Sequence, residues 1–503
     1  MIRERVNNLI GAASIRPNNP EYGDYTVRVG ESAEQLARKI TESNEVEKAE
    51  AKDGFVNITL KPSVWYEELK RILEEREDYG LLTLGKERTV NVEFISANPT
   101  GELHAGNGRS AFFGDVLANV LEKAGYNVER EYFVNDAVSS VQIQELGKTA
   151  LGKGTAYKTP YLEKIIGELS GQLKTVGGDG EAGHIVAKRV LKNIQPFVTD
   201  VLKVRIDRWF SENELFEEGK LETAKKKLPT YEKDGALWAK TTEFGDDEDR
   251  VLVRSDGTPG YFLSDIAYHL NKARRADILV DIWGADHQGH VKRMFAVGGV
   301  LGFAEKLQIL ITQIVLFKEG GERKKMSKRR GELVTLKWLV NEVGADAARW
   351  FYLSKSLSTH MDFDVALAKE QSQKNPVYYV QYSYARSHQI FAKAGVEHFD
   401  AEPADLSLLT DSSELALIKK LAEYPELIED IVTGYERTQS YDLHKLTTYA
   451  TELSAVFHRF YETSRVLVDD AALRDARLAL VRGYQVVLKD VLDLLGISAP
   501  EKM

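Results

Sequence analysis

The chain has 503 residues, of which 43% are hydrophobic and 29% are charged, and this composition is typical of a soluble globular protein with several domains. It contains no cysteine, which excludes disulfides, thiol catalysis and cysteine-ligated zinc. The net charge of −10 neither indicates nor excludes nucleic-acid binding, because phosphate contact needs only a local basic surface.

No apolar run approaches the roughly 20 residues that cross a bilayer. The N-terminus, MIRERVNN, lacks the apolar core of a signal peptide. We therefore expect a cytoplasmic protein without membrane contact.

Residues 1 to about 85 are predicted to form a small α+β domain. Alternating runs predict strands at Tyr25–Val29 and Gly54–Leu60, and helical spacing predicts helices at Ala33–Ile40 and Trp65–Glu77.

The stretch VNVEFISANPTGELHAGNGRSA, Val90 to Ala111, begins as a buried strand and enters a helix near Gly108. Between them lies a turn in which His104 and Asn107 flank Ala105 and Gly106. Such a turn can face a phosphate with backbone amides and a helix N-terminus. Alone it is a weak signal, since a loop histidine and a turn asparagine explain it equally well.

A dehydrogenase is an alternative for this region. Gly106, Gly108 and Ala111 form GxGxxA, and acidic residues follow about 20 residues later. That fingerprint needs its first glycine directly behind the strand, whereas Ser96 to Ala105 intervene here.

Residues from about 140 to 250 interrupt the strand and helix alternation and are predicted to be an insertion. The alternation returns with GYFLSDIAYH, where Tyr261 and Asp265 lie one helical turn apart. An aspartate in a pocket suits a guanidinium group, although a charge near a helix N-terminus is the simpler interpretation.

ADILVDIWGADH (276–287) predicts a buried strand that ends in polar residues. In open α/β sheets ligands bind at the carboxyl ends of strands. Asp286, His287 and His290 are also a conceivable metal site, but a nucleotide-facing loop explains the same polarity.

The stretch ERKKMSKRRGE, Glu322 to Glu332, follows an apolar run and holds six cations within eight residues. Such a loop suits a clamp on pyrophosphate. A solvated surface loop and a nuclear localisation run are the alternatives. Beyond about Leu367, apolar spacing predicts a helix bundle.

Taken together, HAGN and KMSK resemble the HIGH and KMSKS signatures of class I aminoacyl-tRNA synthetases. SANPTGELHAGN, GYFLSDIAYH, GADHQGH, KMSKRRGELVTL, MDFD, NPVYYVQY and the C-terminal segment that begins RDARLALVRGYQ are similar to bacterial arginyl-tRNA synthetases. The similarity extends from about Tyr22 to the C-terminus.

The resemblance implies an α/β Rossmann-type nucleotide-binding catalytic domain at 86–365, with the insertion at about 140–250. It implies a small N-terminal α+β domain at 1–85 that contacts tRNA, and an all-helical C-terminal bundle at 366–503. This bundle would be the anticodon-binding domain named for its DALR motif, here Asp475 to Leu478.

The resemblance also implies site residues. Those implied for arginine are Glu93, Ser96, Asn98, Tyr261, Asp265 and Gln288. Those implied for ATP are His104, Gly106, Asn107, Lys325, Ser327 and Lys328, with His104, Asn107, Lys325 and Lys328 catalytic. Tyr378, Tyr382 and Arg386 are implied for tRNA, where exposed aromatic residues stack on unpaired bases.

The activity implied is that of an arginine–tRNA ligase acting on L-arginine, ATP and tRNA as a monomer. Magnesium would accompany ATP, with no protein-bound metal and no zinc. Asn107 departs from the signature, which ends in histidine. A non-catalytic tRNA-binding paralogue is therefore an alternative interpretation. Another adenylate-forming or nucleotidyl-transferring enzyme is also open.

Overall fold

The computed structural model describes residues 1–17, 19–217, 219–319, 322–323, 334–396 and 404–503. The chain divides into two compact units. The first comprises residues 1–82, 372–433 and 445–503, and the second comprises residues 83–371 and 434–444. Among the helices in the described ranges, none is long and apolar enough to cross a bilayer.

The N-terminal part of the first unit is a three-stranded antiparallel sheet with helices. The strands are β1 (Tyr25–Arg28), β2 (Val46–Lys52) and β3 (Phe55–Leu60), in the order β1-β3-β2. The helices are α1 (Ile2–Ile10), α2 (Ala33–Thr41) and α3 (Pro62–Glu75). The alternating runs predict β1 and β3, whereas the sequence gives little sign of β2, an edge strand in which Val46 is the buried side chain.

The described strands of the second unit form three sheets. A five-stranded parallel sheet, in the order β11-β10-β4-β5-β6, consists of β4 (Thr89–Glu93), β5 (Asn127–Val134), β6 (Arg208–Ser211), β10 (Ile278–Gly284) and β11 (Leu307–Thr312). An antiparallel sheet consists of β7 (Thr230–Lys233), β8 (Ala236–Ala239) and β9 (Arg250–Val253). A third sheet consists of β12 (Val315–Glu319), β13 (Glu322–Arg323) and β14 (Met361–Asp364).

The helices of the second unit connect and cover these strands. They are α4 (Asn107–Lys123), α5 (Val141–Ala150), α6 (Pro160–Glu168), α7 (Ser170–Leu173), α8 (Asp179–Pro196), α9 (Asn213–Glu217), α10 (Lys220–Lys226), α11 (Tyr261–Ala273), α12 (Val291–Leu301), α13 (Leu336–Val343), α14 (Ala345–Leu353) and α15 (Val365–Lys369).

The order of the parallel strands creates a switch point between β4 and β10. The chain runs outward from β4 through β5 to β6, and then returns to the other side of β4 with β10 and β11. Connections therefore leave these two neighbouring strands in opposite directions, and a crevice opens at their carboxyl ends. Glu93 ends β4 and pairs in register with Asp281 of β10. The predicted Rossmann-type fold is confirmed.

The structure adds two features to the sequence-based description. Within the predicted insertion at about 140–250, Arg208–Ser211 is a strand of the main sheet, because it pairs in parallel with β5. The apolar run at 307–317 forms two strands, β11 and β12, that belong to different sheets. Apolar spacing alone could not separate them, since both are partly buried strands of similar composition.

The C-terminal part of the first unit is a helix bundle. Its helices are α16 (Pro376–Ala394), α17 (Ser412–Ala422), α18 (Tyr424–Thr438), α19 (His444–Thr463) and α20 (Ala471–Leu495). Leu417, Ile428, Leu453 and Leu488 are fully buried at the spacing that the sequence predicts. Asp470 caps α20, and Gly496 ends it with φ 65°, a conformation that glycine adopts readily.

A buried carboxylate joins the two parts of the first unit. Glu426 of α18 is 3% exposed and accepts hydrogen bonds from the Tyr25 hydroxyl at 2.6 Å and from Arg16 Nε at 2.6 Å. The backbone N–H of Arg3 donates to the same carboxylate at 3.1 Å. Because a buried charge must be paired, this carboxylate holds the N-terminal segment on the bundle.

Candidate active site

The switch point places three of the predicted arginine-site residues at the end of β4. Glu93 closes the strand, and Ser96 and Asn98 follow it in the loop. Ile95 and Ser96 have φ of 69° and 39°, in the left-handed region that β-branched isoleucine rarely adopts. Strained backbone of this kind is typical of functional sites.

Glu93 is buried and held at both oxygens. Ser96 Oγ donates to its Oε1 at 2.9 Å, and Lys272 Nζ donates to its Oε2 at 2.7 Å. The backbone N–H of Phe133 in turn donates to Ser96 Oγ at 3.1 Å. The carboxylate therefore has a fixed orientation. Asn98 is exposed and lies outside these hydrogen bonds.

The first turns of α11 carry Tyr261 and Asp265. Within the described part of the chain, no side chain donates a hydrogen bond to the Asp265 carboxylate. Burial raises its pKa to about 6, although His269 and Arg293 oppose the shift and Glu93 adds to it. Because the protein provides little to stabilise a negative charge on this carboxylate, the site is suited to an incoming cation.

The Tyr261 hydroxyl points toward α5. It forms a hydrogen bond with the Gln142 side chain and accepts one from the backbone N–H of Val141 at 3.1 Å. The ring is 39% exposed, and Arg254 lies 6.0 Å from its centre. Tyr261 thus lies on the same helix as Asp265 with its hydroxyl already occupied.

A buried ionic cluster lies behind these residues, and the sequence analysis missed it. Lys272 is fully buried and donates to both Glu93 and Asp281. His269 Nε2 lies 2.7 Å from the other oxygen of Asp281, and its Nδ1 lies 2.7 Å from the carbonyl oxygen of Asp265. The signal was a charged residue, Asp281, inside the apolar strand ILVDIW.

The HAGN turn is closed by its own backbone and by Asn107. Asn107 Oδ1 accepts from the backbone N–H of His104 at 3.0 Å, and the Asn107 N–H donates to the His104 carbonyl at 2.9 Å. A side chain at Gly106 would meet the His104 ring at 2.9 Å. The turn leads directly into α4, whose N-terminus carries a positive partial charge.

His104 presents its side chain at the surface of this turn. Surrounding protein displaces enough water to lower the pKa of the imidazole, although the charge of Asp286 opposes the shift. The lowered pKa favours the neutral imidazole, which can donate a hydrogen bond without bringing a charge.

The HAGN turn pairs with the segment that follows the KMSK motif. The N–H of Ala105 donates to the Val334 carbonyl at 2.7 Å, and the N–H of Leu336 donates to the Leu103 carbonyl at 2.8 Å. The Tyr352 hydroxyl also donates to the Ala105 carbonyl at 2.6 Å. Lys325, Ser327 and Lys328 lie outside the described residues.

Gln288 lies on the turn after β10 with its side chain exposed. The Asp286 carboxylate and His287 Nε2 lie 3.5 Å apart on the same turn, and both side chains are exposed. Burial, Arg293 and His287 lower the pKa of His290 to about 4. In the ranges that the structure describes, no three histidine or acidic side chains come together as a metal site.

The residues predicted for tRNA lie on α16 in the other unit. Tyr378 and Tyr382 stack with ring centres 6.4 Å apart, and Arg386 lies 4.4 Å from the ring of Tyr461. His458 stacks on Tyr382 from α19, a neighbour that the sequence could not identify. These side chains are partly exposed, so they form an aromatic and basic surface.

Two family models match the chain. The model described as tRNA synthetases class I (R), catalytic domain, matches residues 68–142 and 192–356. The model described as DALR anticodon binding domain matches residues 380–503.

Curated relatives match nearly end to end. An arginine–tRNA ligase of Dehalococcoides mccartyi is 40% identical over 97% of this chain and 93% of its own length. That of Oceanobacillus iheyensis is 39% identical over 97% and 94%.

Solved structures share the fold. The arginyl-tRNA synthetase of Thermus thermophilus superposes with a TM-score of 0.78 at 21% identity, and the match covers 100% of both chains. A candidate arginyl-tRNA synthetase of Campylobacter jejuni gives a TM-score of 0.77 at 31% identity over 88% of this chain and 100% of the other.

Proposed function

The chain belongs to the arginine–tRNA ligase family of class I aminoacyl-tRNA synthetases, and we propose that the carboxyl edge of its parallel sheet is the active site. The enzyme activates L-arginine with ATP and transfers the arginyl group to the 3′-terminal ribose of tRNA, releasing AMP and pyrophosphate. One observation carries the placement of the site. Asp265, whose carboxylate accepts no hydrogen bond from a described residue, and Glu93, whose carboxylate has a fixed orientation, lie at the switch point of the parallel sheet. The HAGN turn follows β4 of the same sheet.

Arginine recognition is assigned to Asp265, Glu93, Ser96, Asn98, Tyr261 and Gln288. Asp265 has no hydrogen-bonding partner among the described residues, and a guanidinium offers a planar fork of donors that matches a carboxylate. Glu93 keeps lone pairs beyond those used by Lys272 and Ser96. A second cationic group of the substrate, its α-amino group, suits that carboxylate.

ATP is assigned to the HAGN turn and the KMSK segment. Gly106 leaves room beside His104, and the positive end of α4 lies behind the turn. Asn107 and the neutral His104 can donate hydrogen bonds to phosphate oxygens. Lys325, Ser327 and Lys328 would contribute cations and a hydroxyl to the β- and γ-phosphates, and His104 with Lys328 would meet the charge that develops during transfer.

Activation is a substitution at phosphorus. A carboxylate oxygen of arginine bonds to the α-phosphorus of ATP while the bond from that phosphorus to the pyrophosphate oxygen breaks. A terminal ribose hydroxyl of tRNA then bonds to the arginyl carbonyl carbon, and AMP leaves as the hydroxyl proton is lost. No protein nucleophile is needed, so positioning and electrostatic stabilisation supply the catalysis.

We propose that magnesium enters with ATP, since phosphate oxygens are its preferred ligands. Asp286, an exposed carboxylate whose charge reaches His104, is an oxygen donor of the kind that magnesium accepts. The ion would neutralise charge on the leaving pyrophosphate.

Contact with tRNA is assigned to the surface formed by Tyr378, Tyr382 and Arg386, joined by His458 and Tyr461. Aromatic rings there can stack on unpaired bases, and Arg386 can meet a phosphate.

We propose that the domains comprise residues 1–85, 86–365 and 366–503, with the first domain contacting tRNA. We also propose a monomer that acts in the cytoplasm.

The experiment is arginine-dependent exchange of pyrophosphate into ATP with tRNA present, measured for wild type and for Asp265→Asn. Exchange specific to arginine that the variant loses supports the proposal. Exchange that depends on another amino acid, or that Asp265→Asn leaves unchanged, would contradict it.

A further inference from the structure

We propose that Lys272 and His269 are positioning residues for arginine recognition. Lys272 bonds the Glu93 carboxylate directly, His269 acts through Asp281, and together they fix Glu93 relative to the turn of α11 that carries Asp265. This inference rests on the proposed function of those two acids as the arginine contacts. Neither Lys272 nor His269 needs to touch the substrate.

The cluster spans three elements of the second unit. Asp281 lies in β10, Glu93 ends β4, and both Lys272 and His269 lie on α11. Lys272 Nζ reaches Glu93 Oε2 at 2.7 Å and also bonds Asp281 Oδ1. One buried ammonium group therefore ties the helix that bears Asp265 to the strand that bears Glu93.

His269 completes the connection from the other side. A carbonyl oxygen can only accept, so the Nδ1 that lies 2.7 Å from the Asp265 carbonyl must carry a hydrogen. The Nε2 faces the Asp281 carboxylate at 2.7 Å. Despite burial, Lys272 first and His269 second hold the pKa of Asp281 below its usual value, so this acid is a carboxylate that accepts from both neighbours.

Lys272 is shared by two buried carboxylates, Glu93 and Asp281, and His269 bonds the second of them. These contacts matter because a buried carboxylate is costly unless it is paired and hydrogen-bonded. They involve the backbone carbonyl of Asp265 and not its carboxylate. A guanidinium can supply the missing positive charge at that carboxylate.

The cluster fixes the positions of the two acids in addition to stabilising the fold. Glu93 is bonded at one oxygen by Lys272 and at the other by Ser96, which leaves it one orientation. The Asp265 carbonyl is bonded by His269, which fixes the helix turn that carries the side chain. The separation of the two acids is thereby set before arginine arrives, and a set separation selects for substrate length.

The first test is Lys272→Met, assayed by pyrophosphate exchange with tRNA present. We expect the KM for arginine to rise about tenfold or more, while the KM for ATP changes less than about threefold. The control is Arg130→Met. Arg130 is a fully buried cation of the same sheet that pairs with Glu122 on α4. That variant should lose thermal stability and keep the ratio of the two KM values.

The second readout is discrimination by length. The ratio of kcat/KM for arginine to that for its homologue with one more methylene should fall in Lys272→Met and not in Arg130→Met. If Lys272→Met does not fold, His269→Gln decides the matter, because it keeps both lysine bonds and should show a smaller rise in the arginine KM.

Unchanged arginine KM and unchanged length discrimination in a folded Lys272→Met variant, or in His269→Gln where the first does not fold, would overturn this inference. Wild-type enzyme without arginine-dependent exchange would instead overturn the proposed function. The two failures are therefore distinguishable.

Discussion

The backbone N–H of Ala105 donates a 2.7 Å hydrogen bond to the carbonyl oxygen of Val334. It joins the HAGN turn to the residues that come after the KMSK segment, since Ala105 lies inside HAGN and Val334 follows KMSK. His104 pairs with Thr335 in the same short antiparallel contact. A change in one segment is thus expected to affect the other through the backbone.

Gly106→Ala tests the shape of the HAGN turn. The new methyl group would come within 2.9 Å of the His104 ring and displace it. We expect kcat/KM for ATP to fall about tenfold, a free-energy change of roughly 1.4 kcal/mol. Gly167→Ala, a helical position with open space around it, is the matched control and should leave kcat/KM unchanged. Equal activity of the two variants would refute the argument.

Asn107→His tests the departure from the signature. Asn107 accepts a hydrogen bond from the His104 N–H at 3.0 Å, which a histidine nitrogen can also accept. The substitution should therefore change the rate of arginine activation only modestly. A gain above about a hundredfold, roughly 2.7 kcal/mol, would show that Asn107 severely limits catalysis.

Asp265 predicts how arginine use depends on pH. Burial raises the pKa of this acid to about 6, so it is protonated below that pH and cannot pair with a guanidinium. The KM for arginine should rise about tenfold per pH unit below pH 6 and level off above pH 7. The KM for ATP, measured at the same pH values, is the control. A flat arginine profile from pH 5 to 8 would contradict the assignment.

Glu212 predicts how stability depends on pH. This acid follows β6 and is 4% exposed, and burial raises its pKa from 4.5 to about 7. The folded state therefore binds more protons than the unfolded state between about pH 4.5 and 7, and stability falls as pH rises through that window.

Glu212→Gln removes this proton uptake. At pH 8 we expect the variant to be more stable by roughly 1 to 3 kcal/mol, and near pH 4.5 the two proteins should converge. Denaturant midpoints across this range provide the measurement. Glu222→Gln is the control, because Glu222 is 60% exposed on the neighbouring α10. A similar effect from both variants would argue against a buried acid.

Glu426→Gln tests how the N-terminal segment is held on the bundle. Removing the charge leaves Arg16 without its ionic partner, and we expect a loss of about 2 to 4 kcal/mol in unfolding free energy. Asp430→Asn, at a carboxylate that is 50% exposed, should cost less than about 1 kcal/mol. Comparable losses would mean that the buried pairing contributes little.

The sequence predicts those parts of the molecule that are local. Strands β1, β3, β4 and β10 and the helices around them follow from hydrophobic period, and the HAGN turn follows from its small and polar residues. The placement of Tyr261 and Asp265 one turn apart on the same helix follows from their spacing of four residues.

The remaining features depend on which elements meet in space. Lys272 and Asp281 are nine residues apart on a helix and a strand, and no spacing rule joins them to Glu93, which is 179 residues from Lys272. Likewise β6 is a strand of four residues whose place in the main sheet is decided by β5. Tertiary contacts determine both the ionic cluster and the place of β6 in the sheet, and local sequence patterns do not reveal them.

Arginine activation at the carboxyl edge of the parallel sheet is the proposed function. The most direct measurement is arginine-dependent exchange of pyrophosphate into ATP, run with and without an arginine-accepting tRNA transcript and followed by charging of that tRNA. With tRNA present, we expect exchange and charging with arginine alone among the amino acids, and loss of both in Asp265→Asn. Absence of exchange in a folded wild-type protein that still binds tRNA would contradict the proposed function.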